Sequence, residues 1–116
     1  MRKVILIVDD EVLIRMAIRA TLEDEGYEVR EAGNVDEALL VIEDGGIAAV
    51  LTDIEMPGTL NGLDLARMIR AVYPSTPLIV TSGRTVPKPG ELPEHVLMLT
   101  KPFSTDQLLL ILREMI

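Results

Sequence analysis

At 116 residues the chain has the length of one domain and is long enough to bury a real core. Apolar residues make up 48% and charged residues 26%, an ordinary globular balance, but aromatics are only 3%, so the core must be built from Val, Ile, Leu, Met and Ala. The formal charge of −8, from 11 basic and 19 acidic residues, argues against bulk attraction to nucleic acid or anionic lipid, and the absence of Cys excludes disulfides, thiol catalysis and Cys-ligated metals.

The apolar run Val4 to Val8 is too short for a signal peptide or a membrane span, so no membrane contact and a cytoplasmic location are expected. The same run is continuous and β-branched, which suits a strand buried on both faces. From Glu11 to Glu25, Ile14, Ala17, Ile18 and Leu22 fall at helical spacing, and Gly26 ends the segment. Glu28 to Ala32 reads as a second strand. Asn34 can cap the next helix, with Glu37 three residues on and Val35, Ala38, Leu39 and Ile42 along one face, before Gly45-Gly46 closes it.

Ala48 to Thr52 is the third expected strand, followed by Asp53. A loop with Pro57, Gly58 and Gly62 leads to a helix near Leu63 to Tyr73, with Leu65, Ala66, Ile69 and Val72 inward and Pro74 as its stop. Pro77 to Thr81 and Val96 to Thr100 are the fourth and fifth strands. Between them, Gly83 to His95 holds Pro87, Pro89 and Pro93, which leaves room for a loop or a single turn and no ordinary helix. Ser104 with Gln107 forms a capping box, Phe103 can staple onto Leu108, and the last helix buries Leu108, Ile111, Leu112 and Met115. Leu109, Leu110 and Ile116 fall off that stripe; scattered exposed apolar residues are normal, though a partner surface would also use them.

Strands alternating with helices predict an α/β fold: a parallel sheet with helices on both faces, in the flavodoxin-like order 2-1-3-4-5. One domain spanning 1–116 is expected. Asp9 and Asp10 end the first strand, Asp53 the third, Ser82 the fourth and Lys101 the fifth. In such a sheet the C-terminal strand ends converge on one crevice, so three carboxylates, a hydroxyl and an ammonium would meet there. The carboxylates repel, and a divalent cation relieves this without protonation. All-oxygen ligands select Mg²⁺ or a similar hard ion over zinc. One carboxylate can then act as nucleophile towards a phosphoryl group, a reaction that needs mainly positioning and charge neutralisation. Taken singly, each residue has a plainer use: Asp9 or Asp10 as a helix N-cap, Asp53 or Ser82 in a turn, Lys101 as a solvated charge. Those uses would have to coincide at four strand ends.

Val-Asp-Asp-Glu at 8–11, Asp-Ile-Glu-Met-Pro at 53–57, Thr-Ser-Gly at 81–83 and Lys-Pro-Phe at 101–103 together resemble the receiver domains of two-component response regulators, over nearly the whole chain. The resemblance implies Asp53 as phospho-acceptor in a histidine-to-aspartate phosphorelay. It implies Asp9, Asp10 and Asp53 around Mg²⁺, one of the first two through water, with Glu55 adding its backbone carbonyl. Lys101 would pair with the phosphoryl oxygens, and the family's hydroxyl residue falls at Ser82, with Thr81 as the fallback. A cis Lys101–Pro102 bond is also implied. The partners implied are a histidine kinase or histidine phosphotransfer protein and a downstream protein, with no direct nucleic-acid binding by this domain, which would be a signalling module and not an enzyme.

Three departures from the family pattern stand out. The Pro57-to-Gly62 stretch is one residue longer than usual, the fourth helix is shortened or missing, and Met98 stands where many receivers carry Tyr or Phe. The phosphorylation chemistry should survive all three; the usual aromatic switch should not. Alternative readings are a phosphate sink or relay without output of its own, a receiver piece of a longer regulator, and a degenerate receiver, against which the intact Asp, Ser and Lys set counts. A phosphohydrolase resembling the haloacid dehalogenases would want Asp where Glu55 stands and a cap domain that 116 residues cannot hold. His95, alone in the Pro-rich loop, is assigned no role.

Overall fold

Apolar residues arrive in short runs separated by capped, amphipathic stretches, and the chain follows that punctuation. In the computed structural model, which describes residues 2–116, the elements are β1 (Val4–Val8), α1 (Val12–Asp24), β2 (Glu28–Ala32), α2 (Val35–Glu43), β3 (Ile47–Asp53), α3 (Gly62–Val72), β4 (Leu78–Ser82), β5 (Val96–Thr100) and α4 (Thr105–Met115). The five strands form one parallel sheet in the order β2-β1-β3-β4-β5. This is the flavodoxin-like arrangement expected from the sequence.

Alternation along the strands sorts the core into two layers. Leu6, Val8, Val50 and Val80 face Ala38, Ile42, Leu65, Ala66 and Ile69 of α2 and α3. Ile5, Ile7, Leu51 and Ile79 face Ile18 and Leu22 of α1 and Leu108, Leu109 and Leu112 of α4. Residues 4–8, 50–53 and 78–82 are thus buried almost throughout, as strands covered on both faces must be.

Helix starts are fixed locally. The Asn34 side chain accepts from Glu37 N at 2.8 Å, while Glu37 reaches back past the cap to Gly33 N at 2.7 Å. Ser104 accepts from Gln107 N at 3.1 Å, which is one arm of the expected box, and Phe103 packs in the same layer as Leu108. The complete reciprocal box lies elsewhere. Asn61 accepts from Leu63 N and Asp64 N at 2.9 and 3.1 Å, and Asp64 accepts from Asn61 N at 2.8 Å.

Several boundaries and faces differ from the sequence reading. β3 extends at both ends and takes in Asp53, while β4 starts and ends one residue later than expected, because pairing with neighbours decides where a strand stops. Val72 is exposed, not inward: it is the last residue of α3, and the chain leaves the helix at Tyr73. Leu109 is buried, not off the stripe, because α4 packs against both the sheet and α1 and so covers a wider face; Leu110 is exposed as expected.

No helix forms between β4 and β5 among the described residues; Gly83 to His95 is an irregular segment with turns only at residues 89–91 and 94–95. Two arginines of α3 strap its second half down through backbone carbonyls, Arg67 to Glu91 at 3.0 Å and Arg70 to Glu94 and His95 at 3.1 Å each. Leu92 and Met98 tuck against the layer beneath. No described helix is long and apolar enough to cross a membrane.

Candidate functional site

Strand register delivers the site. Val8 lies level with Thr52, Asp53 with Thr81, and Ser82 with Thr100, so Asp9, Asp53, Ser82 and Lys101 emerge together at the C-terminal edge. Backbone bonds tie the emerging segments: Ile54 N to Thr81 O at 3.0 Å and Lys101 N to Ser82 O at 2.8 Å. The Lys101–Pro102 bond is cis.

Asp53 and Asp9 are each only 4% exposed, whereas Asp10 is exposed at the rim. Oxygens of all three lie within 4.8 Å of one another. Lys101 Nζ donates to Asp53 Oδ2 at 3.0 Å and to Asp9 Oδ2 at 3.4 Å. Asp9 Oδ1 also accepts from Glu11 N at 2.9 Å and so helps start α1, which has no side-chain cap of its own. The capping use of Asp9 and its place in the cluster therefore coexist.

The electrostatics follow from three acids facing one base. Burial pushes the Asp53 carboxyl above its ordinary value, and Asp9 adds to this, against the opposing pull of Lys101. Burial works against the Lys101 ammonium, but its contacts with Asp53 and Asp9 outweigh that and hold its pKa above the usual range. Both partners of one ion pair are thus raised. The direction for Lys101 follows from its two carboxylate neighbours; that for Asp53 reflects one ammonium shared between acids in a desolvated pocket. A hard divalent cation fits this donor set of clustered carboxylate oxygens, and would remove the excess negative charge.

Ser82 and Thr81 are both buried but line different spaces. Thr81 borders a small cavity with Asp9, Asp53, Lys101 and Phe103; Ser82 borders a larger one, of about 430 Å³, with Arg84 to Gly90, Leu92 and Met98. The Ser82 hydroxyl bonds to Glu55 Oε1 at 3.1 Å and to the carbonyl of Thr85, not to Asp53. Glu55, expected for its backbone carbonyl, also uses its side chain, to bridge two loops. It accepts from Thr85 N at 2.9 Å and Arg84 N at 3.2 Å as well as from Ser82. Burial opposes ionisation of Glu55, but these donors prevail and hold its carboxyl at about 2.

Gly62, expected in the loop before the third helix, is the first residue of α3. A Cβ there would sit 1.9 Å from the Asp53 carbonyl oxygen and 2.8 Å from Ile54 Cα, so α3 starts directly on the backbone of the acceptor strand. Gly62 N donates to Ile54 O at 3.0 Å and closes the intervening loop. Nothing in the local sequence signals this approach; a glycine at a helix N-terminus beside Asn61 is the one available hint.

Residues 5–113 match the response regulator receiver domain family. A putative NtrX-like response regulator of Rickettsia felis is 34% identical over 94% of this chain, which spans 24% of that protein. The chain thus covers about a quarter of the length of the NtrX-like relatives it matches. The crystal structure of the NtrX receiver domain from Brucella abortus is 34% identical, with a TM-score of 0.82 and 96% of each chain covered. The chemotaxis protein CheY4 of Vibrio cholerae is 29% identical, with a TM-score of 0.89 over 100% of both chains. Together with the sheet order and the acidic pocket, these matches establish that the chain belongs to the response regulator receiver domain family.

Proposed function

We propose that Asp53 is the phospho-acceptor of this receiver domain and that Asp9, Asp10 and Asp53, with the Glu55 backbone carbonyl, hold Mg²⁺. The observation that carries the reading is the buried Asp53 carboxylate, held by Lys101 and clustered with two further acids at the strand ends. An Asp53 carboxylate oxygen attacks phosphorus as the P–N bond of a phosphohistidine breaks. The imidazole leaves with that electron pair and takes up a proton. Bound Mg²⁺ supplies neutralisation of the phosphoryl oxygens' charge. Lys101 pairs with the same oxygens, and Ser82, with Thr81 as the fallback, donates its hydroxyl to them. Asp9 and Asp10 stay unmodified.

The phosphohistidine must come within bonding reach of Asp53, so its carrier has to touch the pocket rim. Val12, Leu13 and Met16, all exposed on the first turns of α1 just after Asp10, offer that carrier an apolar contact. The carrier is a histidine kinase or histidine phosphotransfer protein, and phosphorylation alters what the domain binds downstream. The domain acts as a cytoplasmic signalling module over residues 1–116, not as a metabolic enzyme, and belongs to a subtype with a Pro-rich loop in place of the usual fourth helix. A sink or relay role, or service as one part of a longer regulator, uses the same chemistry.

Incubation with acetyl phosphate should add one phosphoryl group by intact mass, and only with Mg²⁺ present. A wild-type protein that binds Mg²⁺ and beryllofluoride weakly or not at all, and gains no mass, would overturn the reading.

A further inference from the structure

The loop after the acceptor strand and the Pro-rich loop after β4 are joined through one side chain. Glu55 lies two residues beyond Asp53, yet its three donors come from residues 27 to 30 positions further on. They are the Ser82 hydroxyl at 3.1 Å, Arg84 N at 3.2 Å and Thr85 N at 2.9 Å, all on Glu55 Oε1. A serine hydroxyl has one proton to give. Here its acceptors are Glu55 and the Thr85 carbonyl, so the donor needed at a phosphoryl group is already committed elsewhere.

We propose that Glu55 is a positioning residue that clasps the Ser82 hydroxyl and the first amides of the Pro-rich loop, and yields the hydroxyl when a phosphoryl group on Asp53 competes for it. The proposal rests on Asp53 being the acceptor and Ser82 the hydroxyl that serves it. The competition has a definite winner. A phosphoryl group brings a charge of about −1.5 to −2 and three acceptor oxygens, against one negative charge on Glu55. Repulsion between the two anions acts in the same direction. Loss of the serine loosens the clasp on the segment that forms the wall of the 430 Å³ cavity, where Val86, Pro87, Leu92 and Met98 are gathered. The second half of that segment stays strapped to α3 by Arg67 and Arg70, so the change is confined to the half next to the site. In a chain with Met98 at the position three before Lys101, this clasp is a route from Asp53 to the surface that needs no aromatic side chain.

The test compares wild type, Glu55→Ala and Glu55→Gln by amide hydrogen exchange over residues 84–90 and by beryllofluoride affinity in Mg²⁺. In the wild type the Arg84 and Thr85 amides should be protected, and beryllofluoride should speed their exchange about tenfold or more, the size of losing a bond to a charged acceptor. Glu55→Ala should exchange fast without the ligand and bind beryllofluoride about tenfold more tightly, because no clasp has to be opened. Glu55→Gln keeps the acceptor oxygen without the charge and should stay closer to wild type in exchange. Wild-type protection in Glu55→Ala, or a Glu55→Gln protein identical to Glu55→Ala in both readouts, would overturn the clasp. Absence of beryllofluoride binding in the wild type would overturn the acceptor reading and the release step with it; a failure confined to the Glu55 variants overturns the clasp alone.

Discussion

Gly62→Ala is expected to destabilise the domain by about 3 kcal/mol and to abolish phosphorylation at the same time. Two effects oppose each other here. Alanine is the better helix former by about 1 kcal/mol, so propensity alone predicts a more stable protein. Sterics predict the reverse, because the added methyl would lie 1.9 Å from the Asp53 carbonyl oxygen and 2.7 Å from its carbon, both rigid backbone atoms. No rotamer change relieves a clash with backbone. Either α3 tilts away, breaking the Gly62–Ile54 bond and the Asn61–Asp64 box, or the end of β3 moves and takes Asp53 with it. Sterics win by magnitude. Urea unfolding checks the stability and intact mass after acetyl phosphate checks the chemistry. A variant within about 1 kcal/mol of wild type and still phosphorylated would show that the start of α3 yields freely.

Lys101→Ala is expected to slow phosphoryl gain from acetyl phosphate by about 10²- to 10³-fold, the usual cost of one removed donor at a site of developing negative charge. The same change should leave Mg²⁺ affinity equal or higher, since a competing cation has left the carboxylate cluster. That opposition of signs separates loss of chemistry from loss of fold, which would weaken both. Lys101→Arg should restore little, because the ammonium reaches Asp53 at 3.0 Å and Asp9 at 3.4 Å as a compact point charge, whereas guanidinium is a planar fork. Stopped-flow or quenched mass spectrometry with a parallel Mg²⁺ titration reads both quantities. A Lys101→Ala protein phosphorylated within about threefold of wild type would remove Lys101 from the mechanism.

What was legible in the sequence, and what was not, divides along physical lines. Strand order and the meeting of Asp9, Asp53 and Lys101 were legible because right-handed crossovers leave few topologies and each polar residue ends an apolar run. Ser82 ends its strand beside them but turns its hydroxyl to Glu55 and the Thr85 carbonyl. The helix-free segment was legible because Pro87, Pro89 and Pro93 cannot be fitted into a helix interior. The bridge made by the Glu55 side chain was not, since its donors are 27 to 30 residues away and become neighbours only through pairing of β3 with β4. The tight approach at Gly62 was equally hidden: nothing about φ demands glycine there, and the constraint comes entirely from the strand behind it. The Asn61–Asp64 box was present in the sequence but outside the usual Ser/Thr with Glu/Gln pattern, whereas Ser104–Gln107 fits the pattern and makes one arm. Burial of Leu109 depended on α4 packing against α1, which periodicity within one helix cannot report.

Reductive trapping tests the central claim most directly. After incubation with acetyl phosphate and Mg²⁺, borohydride reduces an acyl phosphate to an alcohol with loss of phosphate, which converts a modified Asp into homoserine that peptide sequencing by mass spectrometry can locate. The account predicts homoserine at position 53, none at positions 9 or 10, and none at all in Asp53→Asn or without Mg²⁺. Homoserine at Asp9 or Asp10 in the wild type, or an unchanged yield in Asp53→Asn, would contradict it.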